Sequence, residues 1–309
     1  MCSDGRVTSH TGEPRDDSAT SLDPEVLRRI AVDIAREAGA HVRRRRPEVF
    51  GRGLFGQETD VAADAVQSKS TPTDPVTVVD TETEHVIRDL LSRLRPDDAV
   101  LGEEGGGVSV APSGVRWVLD PIDGTVNFLY GIPAYSVSVA AQIDGTSVAG
   151  AVEDVVGRRT YAASTGSGAW ESEDGGEWKR LQANDIDDVS LALVATGFGY
   201  DSARRRRQGA IIADLLPEVR DVRRIGSAAL DLCMVAAGRV DAHFEHGLSP
   251  WDWAAGALIA AEAGARVITP SPHSRSDDGE VTIAVAAGVS ERFVELLVRL
   301  GGREAIPKG

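Results

Sequence analysis

The residues best suited to chemistry lie in a short segment where two carboxylates, a glycine and a hydroxyl follow an apolar run. The run ends at Asp120, and Asp123, Gly124 and Thr125 come shortly after it. Mg²⁺ prefers carboxylate and carbonyl oxygens as ligands, and main-chain N–H groups beside a glycine can approach a phosphate closely. We therefore expect Asp120, Asp123 and the carbonyl oxygen of Ile122 to face one small volume that suits both.

Pro121 lies inside this segment and constrains its backbone. A proline fixes its own φ and disfavours the helical conformation of the residue before it, so we expect the strand to end at Asp120 with a sharp turn. Asp-Pro and Asp-Gly are also common in ordinary surface turns, which is the competing interpretation of the segment alone.

Two further acidic motifs favour a metal site over a surface turn. Glu103 and Glu104 follow the short apolar stretch 99–101, and paired carboxylates repel each other unless a cation lies between them. Asp252 follows Pro250, which is typical of a first helical turn, so its carboxylate lies at the positive end of a helix. Each acid alone is more simply a solvated loop or helix residue, but the motifs together favour a shared site.

The three motifs occur in the same order, and with the same key residues, as in a known family. Segments 102–104 (Gly-Glu-Glu), 120–128 (Asp-Pro-Ile-Asp-Gly-Thr-Val-Asn-Phe) and 251–256 (Trp-Asp-Trp-Ala-Ala-Gly) resemble motifs of the inositol monophosphatases. That family belongs to the lithium-sensitive, metal-dependent sugar phosphatases. The resemblance covers residues 24–300, and the bacterial SuhB-type enzymes are the most similar branch.

This resemblance implies a role for each site residue. The implied metal ligands are Glu103, Asp120, the Ile122 carbonyl, Asp123 and Asp252, which together would hold two to three Mg²⁺ ions. The implied catalytic residues are Glu103, Thr125 and Asp80; Thr125 would hydrogen-bond the attacking water, and Asp80 would orient the region around Glu103. The implied substrate contacts are Asp123, Gly124, Thr125, Ser227, Ala228 and Glu245, with Lys69 at the start of a mobile loop, 69–80, that covers the substrate. The implied protein is a homodimer that hydrolyses inositol 1-phosphate, a small phosphorylated polyol, without phosphorylating a residue.

Glu245 is the residue on which the choice of substrate depends most. By resemblance it accepts hydrogen bonds from inositol hydroxyls, and such a carboxylate discriminates well because a wrong substrate leaves it unpaired. Ser227 stands where the family commonly has threonine, which leaves the exact specificity open. Histidinol phosphate, fructose 1,6-bisphosphate and phosphonucleotides are the alternative substrates. An accessory role in transcription or ribosome assembly is the alternative of a different class.

Composition limits the class of protein further. The 309 residues are 42% hydrophobic, enough for a substantial core in one large or two joined domains. No apolar run approaches the ~20 residues that span a bilayer, and residues 1–22 lack a signal-peptide core, so we expect a cytoplasmic protein without a membrane partner. A net charge of −15 makes nucleic acid an unlikely partner, and we interpret the arginine runs 43–46 and 204–207 as solvated helix residues.

His243 and His246 form another pair of potential metal ligands. They are three residues apart in a segment that is typical of a strand, whereas the histidines of a zinc protease motif share one face of a helix. We therefore do not predict a zinc site from this pair.

Hydrophobic periodicity predicts the elements that must position these residues. A helix begins after Asp23 with an apolar stripe that continues to Val42, and a second helix runs from Thr81 to the residue before Pro96, which places Asp80 just before it. Strands at 116–119, 135–143, 147–155 and 158–163, with a turn at Asp144-Gly145, predict a largely antiparallel sheet. The later part is predicted to contain strands at 191–195, 240–245, 266–269 and 281–286, and helices at 202–215, 227–238, 250–264 and 291–300, the last capped by Ser290.

This mixture of helices and antiparallel strands predicts an α+β fold of stacked layers. The resemblance implies the αβαβα sandwich of the sugar phosphatases. We expect a disordered tail at 1–22, a metal-binding half at 23–185 and a half at 186–309 that completes the site. Residues 51–68 are expected to form a mobile loop that leads to Lys69.

Overall fold

The structure, a computed structural model, describes residues 21–51, 65–69, 75–107, 114–271 and 273–309. Most of the predicted tail, most of the predicted loop at 51–68 and residues 70–74 of the predicted covering loop lie outside the described residues.

Helices and strands alternate along the described chain. The α-helices are α1 (Pro24–Phe50), α2 (Val78–Leu94), α3 (Thr125–Tyr130), α4 (Ser202–Leu215), α5 (Ala228–Ala236), α6 (Pro250–Glu262) and α7 (Ser290–Arg299). The strands are β1 (Val66–Ser68), β2 (Pro75–Thr77), β3 (Ala99–Gly102), β4 (Gly106–Gly107), β5 (Val115–Asp123), β6 (Ser136–Ile143), β7 (Thr146–Asp154), β8 (Arg159–Ser164), β9 (Ala169–Glu173), β10 (Trp178–Arg180), β11 (Leu193–Thr196), β12 (Asp221–Arg223), β13 (Ala242–His246), β14 (Arg266–Ile268) and β15 (Val281–Val285).

The strands form two large sheets and one small ribbon. The first sheet has the order β10-β9-β8-β7-β6-β5-β3-β4 and is antiparallel except where β3 runs parallel to β5. The second has the order β12-β11-β13-β15-β14. Strand β11 is parallel to β12 and β13, and strand β15 is antiparallel to β13 and β14. Strands β1 and β2 pair separately. The prediction of a largely antiparallel first sheet is confirmed.

Five layers result from the packing of helices on these sheets. Helices α1 and α2 cover one face of the first sheet, α5 and α6 lie between the two sheets, and α4 and α7 cover the outer face of the second sheet. The predicted αβαβα sandwich is therefore confirmed. The two sheets fall on either side of residue 185 in the chain, but the division into two halves stays a prediction because α6 contacts both sheets.

The buried face of each element explains its apolar pattern. Strand β5 is apolar throughout its first half because Trp117 and Leu119 face the helices α1 and α2 while Val118 faces the middle layer. In α1 the predicted stripe is buried, and Asp23 caps the helix by accepting a hydrogen bond from the Glu25 N–H at 3.0 Å. Each fully buried large apolar side chain contributes roughly 1.5–3 kcal/mol relative to its exposed state.

Two elements near the site differ from their predicted bounds. Helix α2 begins at Val78 rather than Thr81, because Thr77 occupies the N-cap and forms a capping box with Asp80. Asp80 therefore lies in the first helical turn and not before the helix. Strand β5 continues through Pro121 to Asp123, with a register shift against β6 between Asp120 and Asp123. The irregularity accommodates a proline, which has no N–H to donate to a ladder.

Further differences concern the ends of elements. Residues 66–68 form strand β1 and are not part of a loop. Ser290 is the first residue of α7 rather than its cap, a position that Val289 takes. The short helix α3 was not predicted, because its six residues are too few to show a helical period.

At least one member of each arginine run is held by the fold, although Arg44 and residues 205–207 are exposed as predicted. Arg204 lies in the first turn of α4, is 3% exposed, and donates to the carbonyl oxygens of Ser276 and Ile306 at 2.7 Å each. Arg43 pairs with buried Glu153 at 2.8 Å. Both side chains therefore join elements of the fold, Arg204 from a buried position and Arg43 from a partly exposed one.

No helix among the described residues has the length and apolar character needed to cross a bilayer. Cys233 is a buried free thiol in α5.

Candidate active site

The predicted site residues gather around one cavity of about 290 Å³. The cavity is lined by the ends of β5 and β13, by the segments that follow β3, β5, β11 and β13, and by the starts of α5 and α6. Every predicted site residue lines it except Asp80 and Ser227, which lie behind the lining and contact it through Thr125 and Asp123 respectively. Residues that are far apart in the sequence are thus brought to a common volume.

Three aspartates form the most acidic part of the cavity wall. Asp120, Asp123 and Asp252 each place one carboxylate oxygen within 4.8 Å of the other two. Burial, reinforced by the neighbouring carboxylates, raises the pKa of Asp120 and of Asp252 well above the usual range. Burial also raises the pKa of Asp123 to about 6, against the hydrogen bonds that it accepts. A cation in this volume would remove the repulsion.

The backbone after Asp120 holds this arrangement in place. Asp120 Oδ1 accepts a hydrogen bond from the Ile122 N–H at 3.0 Å. Gly124 follows with φ +100°, and a Cβ atom there would lie 3.0 Å from the Ala134 carbonyl oxygen and 3.1 Å from that of Gly226. Only glycine combines this left-handed conformation with so close an approach of two other segments.

Asp80 and Thr125 form a buried pair beside the aspartates. Thr125 Oγ1 donates to Asp80 Oδ1 at 3.0 Å or to the Ile122 carbonyl oxygen at 3.1 Å. Asp80 Oδ2 accepts from the Thr77 N–H at 3.0 Å and from the Thr77 hydroxyl. Burial raises the pKa of Asp80 to about 6, and the Thr77 hydrogen bonds oppose that rise. The capping box of α2 therefore fixes the carboxylate that orients Thr125.

Asp123 joins the first sheet to the middle layer. Its carboxylate accepts hydrogen bonds from Ser227 Oγ at 2.5 Å, from the Ala228 N–H at 3.3 Å and from the Ala229 N–H at 2.8 Å. These donors belong to the start of α5, where unpaired N–H groups favour a negative charge. Asp252 is fixed in a similar way at the start of α6, because it accepts from the Ser249 N–H at 2.7 Å.

The paired glutamates contact a cationic side chain of the protein itself, while their role as metal ligands stays a prediction. Lys69 Nζ lies 2.7 Å from Glu103 Oε1 and 2.6 Å from Glu104 Oε1. Burial opposes the charge on Lys69, but the two glutamates outweigh it and raise its pKa. Burial and the Glu103 charge raise the pKa of Glu104 to about 7, even beside Lys69. Lys69 thus lies at the acidic end of the cavity, where it contacts both glutamates.

Glu84 is a positioning residue that the sequence analysis missed. It is 2% exposed and accepts hydrogen bonds from the backbone N–H groups of Glu104 at 2.8 Å and Gly105 at 2.9 Å. Its partner is Arg88, four residues later on α2, at 2.7 Å. A side chain at Gly102 or Gly105 would overlap the Glu84 carboxylate. The Glu-to-Arg spacing on a helix was the available signal, but it is also typical of exposed pairs.

Asn127 and Arg224 were missed as well. The Asn127 side-chain amide donates to the carbonyl oxygens of Ala134 at 2.7 Å and Ile225 at 2.8 Å, which ties α3 to the segment before α5. Arg224 lines the cavity. A single basic residue in a loop gives no pattern from which its place could have been predicted.

Glu245 lies on the wall of the cavity that α5 and β13 form. Its carboxylate fills the space beside Gly197, where any Cβ atom would overlap it. Burial raises the pKa of Glu245 to about 7; the Arg224 charge opposes this rise and the Asp123 charge adds to it. The residue is therefore placed among other titrating groups of the cavity and not at a solvated strand end.

Comparison with known proteins gives the same family as the motifs. The model of the inositol monophosphatase family matches residues 23–300. The inositol-1-monophosphatase of Mycobacterium bovis is 54% identical over 289 residues, which cover 92% of this chain and 98% of that protein. The Nus factor SuhB of Escherichia coli is 38% identical over 236 residues, covering 76% and 82% respectively.

A solved structure agrees with the layered fold. Mycobacterium tuberculosis SuhB superposes with a TM-score of 0.77 at 50% sequence identity, covering 92% of this chain and all of that one. The two chains thus share a fold over nearly their whole length. The protein is an enzyme of the inositol monophosphatase family, and it is a phosphatase.

Proposed function

We propose that the protein hydrolyses inositol 1-phosphate to myo-inositol and phosphate in a reaction that depends on Mg²⁺. The observation that carries the proposal is the cluster of Asp120, Asp123 and Asp252, whose oxygens lie within 4.8 Å of one another in a cavity that Glu245 also lines. The similarity to an enzyme named inositol-1-monophosphatase at 54% identity supports the choice of substrate.

The residues around the cavity fit Mg²⁺. All donors of the aspartate cluster are oxygens, and their raised pKa values reflect burial and mutual repulsion that a divalent ion would relieve. Glu103, Asp120 and the Ile122 carbonyl would hold one ion, Asp120, Asp123 and Asp252 a second, and Glu103 with waters a third. When bound, Mg²⁺ supplies Lewis-acid chemistry: it lowers the pKa of water, neutralises phosphate charge and stabilises the leaving oxygen.

The chain's own groups bind the phosphate and orient the nucleophile in this proposal. The N–H groups of Gly124 and Thr125 hold the phosphate oxygens. Thr125 Oγ1 donates to Asp80 Oδ1 at 3.0 Å, which leaves its lone pairs directed to accept a hydrogen bond from the attacking water. Asp80 is held in turn by Thr77, so the water is positioned through two fixed side chains.

Substrate recognition is assigned to the opposite wall. Glu245 accepts hydrogen bonds from hydroxyl groups of the ring, with the start of α5 at Ala228 beside it. Ser227 donates to Asp123 at 2.5 Å and lies 3.2 Å from Ser136 Oγ, so it acts on the substrate through Asp123. Its replacement of the threonine common in the family retains this hydroxyl.

Phosphate release from several candidate substrates tests the proposal. The purified protein is assayed on inositol 1-phosphate, histidinol phosphate, fructose 1,6-bisphosphate and a phosphonucleotide, each with and without Mg²⁺, with Asp120→Asn as the inactive control. We expect the highest kcat/KM for inositol 1-phosphate and no turnover without Mg²⁺. A higher kcat/KM for another of the four would transfer the assignment to that substrate.

Three further properties belong to the same proposal. Li⁺ inhibits by occupying the site of Asp120, Asp123 and Asp252 without stabilising the leaving oxygen as Mg²⁺ does. The protein is a homodimer and is cytoplasmic. Inhibition by Li⁺ at tens of millimolar and the mass of the protein by light scattering test the first two properties, and cell fractionation tests the third.

A second candidate function is an accessory role in transcription or ribosome assembly. It is favoured by the 38% identity to a relative named a Nus factor. Affinity purification of the wild type and of Asp123→Asn separates the two functions. Recovery of RNA polymerase with both proteins would support an accessory role that is independent of hydrolysis, and recovery with neither would rule it out.

A further inference from the structure

A second cluster of potential metal ligands lies behind the Glu245 wall of the cavity. Asp231 of α5 and His243 and Glu245 of β13 each place one ligand atom within 4.8 Å of the other two. None of these residues belongs to the aspartate cluster. His243 and Glu245 are two residues apart on the strand and therefore point to the same face of the sheet, towards the middle layer that contains Asp231.

Three buried polar atoms of this cluster lack hydrogen-bond partners. Asp231 is 1% exposed and His243 is fully buried, yet Asp231 Oδ1 and both ring nitrogens of His243 have no hydrogen-bond partner. The nearest approach, His243 Nδ1 to Asp231 Oδ2, is 3.6 Å and too long for a hydrogen bond. Thr282, the register partner of Glu245 on β15, has an unpaired buried hydroxyl as well. Buried polar groups are nearly always paired. Several unpaired hydrogen-bonding atoms in one place therefore indicate a missing ligand.

The donor set indicates which ligand fits. One imidazole nitrogen with two carboxylates, and a further position left for water, is a ligand set for Zn²⁺, whereas Mg²⁺ sites use oxygen alone. The fully buried His243 ring has two unpaired nitrogens, and the neutral form of the ring has a lone pair for a metal. Zinc bonds of about 2.0–2.2 Å hold ligand atoms at most about 4.4 Å apart, so small rotations of the side chains close the cluster on an ion.

We propose that Asp231, His243 and Glu245 bind one Zn²⁺ ion, and that the bound ion withdraws the Glu245 carboxylate from the substrate. The withdrawal of Glu245 rests on the proposed function, in which Glu245 accepts hydrogen bonds from the ring. Zn²⁺ at this site competes with recognition of the substrate and leaves the aspartate cluster to Mg²⁺. His246 takes no part, because it lies on the other face of β13 beside Phe244, with ring centroids 6.2 Å apart.

Metal titration of the full-length protein tests the site directly. Co²⁺ serves as the spectroscopic substitute for Zn²⁺, and excess Mg²⁺ keeps the aspartate cluster occupied. We expect wild type to bind one Co²⁺ with visible d–d absorption, and Zn²⁺ to displace it. His243→Phe should bind at least about tenfold more weakly, since loss of a supporting residue alone costs about 10–100-fold in affinity. His246→Phe, from the same strand, is the matched control and should bind as wild type does.

Two additional variants keep the result decisive. Asp231→Asn retains the size of the side chain and should also weaken binding, which covers the case in which His243→Phe does not fold. Asp120→Asn should bind Co²⁺ as wild type does, because its change lies in the other cluster. Equal Co²⁺ binding by wild type, His243→Phe and Asp231→Asn would overturn the zinc site.

Kinetics separate the zinc site from the proposed function. Substoichiometric Zn²⁺ should raise KM for inositol 1-phosphate and leave kcat unchanged in wild type, and should have no effect on His243→Phe. Zinc binding that depends on His243 but leaves KM unchanged would refute the withdrawal of Glu245 and keep the site. Failure to hydrolyse inositol 1-phosphate at all would refute the proposed function, while the Co²⁺ spectrum would still decide whether the site exists.

Discussion

Two clusters of potential metal ligands, one on the cavity wall and one behind it, are supported very differently. Asp123 accepts three hydrogen bonds from the start of α5, and Asp120 and Asp252 each accept one from a backbone N–H. In the second cluster, Asp231 Oδ1 and the two ring nitrogens of His243 form no hydrogen bond. Donors that are already in place fix the geometry of the first cluster before any ion binds. The second cluster has ligands without such support and must adjust to an ion.

Removing one carboxylate of the supported cluster should have the largest effect. Asp120→Asn should lower kcat for inositol 1-phosphate by at least ~100-fold, because it removes ligand charge from the proposed Mg²⁺ site. Steady-state kinetics at saturating Mg²⁺ measure this, and circular dichroism checks that the variant is folded. Turnover within a few-fold of wild type would show that Asp120 does not hold a catalytic ion.

The wall that carries Glu245 should show a smaller and more selective effect. Glu245→Gln weakens acceptance from ring hydroxyls, and charged hydrogen bonds contribute about 1.5–3 kcal/mol, so kcat/KM for inositol 1-phosphate should fall about ten- to a hundredfold. A simple aryl phosphate, which has no such hydroxyls, should lose little. An equal loss on both substrates would mean that Glu245 supports catalysis in general and does not select the substrate.

Glu84 offers a test of how the loop beside the aspartates is held. Glu84→Gln keeps the shape but removes the charge that accepts from the Glu104 and Gly105 N–H groups. Since Glu103 lies next to these residues, we expect kcat to fall about tenfold, as with other residues that support metal ligands. Glu82→Gln, on the same helix and paired with Arg45, is the control and should retain activity. If the activity of Glu84→Gln depended on Mg²⁺ concentration in the same way as that of wild type, Glu84 would not support a metal ligand.

The protonation of the supported cluster should appear as a pH dependence of stability. Burial raises the pKa of Asp123 and of Asp80 from 3.8 to about 6, so the metal-free folded chain binds more protons than the unfolded chain between these values. The stability that this provides is complete below about pH 4 and is lost as the pH rises through about 6. Mg²⁺ should therefore raise Tm by several degrees at pH 8 and by much less at pH 5.

Thermal melts with Mg²⁺ or with a chelator measure this difference. Metal-free Asp120→Asn should melt higher than the metal-free wild type at pH 8, because the variant has less repulsion to relieve. The same protein would thus be more stable and inactive. A chelator effect of equal size at both pH values would show that the carboxylates are not the cause.

The sequence predicted the supported cluster well because its chemistry is local. Asp120, Asp123 and Asp252 stand in short segments with Pro and Gly, whose backbone preferences are readable without a structure. The predicted start of α2 was wrong for a reason that is also local. The capping box between Thr77 and Asp80 begins the helix before the first residue of its apolar stripe.

Other parts of the site depend on packing and could not be predicted in this way. Asn127 reaches a carbonyl 98 residues away, and Asp231 meets His243 only because α5 lies on β13. Periodicity gives the buried face of each element but not its neighbour across a layer. The His243–Glu245 segment was therefore judged by its local spacing alone, whereas the third ligand comes from another element.

The hydrogen bonds from α5 to Asp123 also determine when the proposed catalytic centre can form during synthesis of the chain. They join residues separated by 104 to 106 positions, whereas the strands of the first sheet that carry Asp120 and Asp123 lie earlier in the sequence. Contacts over such distances form late, since a long loop must close first. A nascent chain that has not yet released residues 227–252 from the ribosome can form the first sheet, but it lacks both the α5 donors and Asp252. If the proposed site is correct, phosphatase activity begins only after these residues have been made and released.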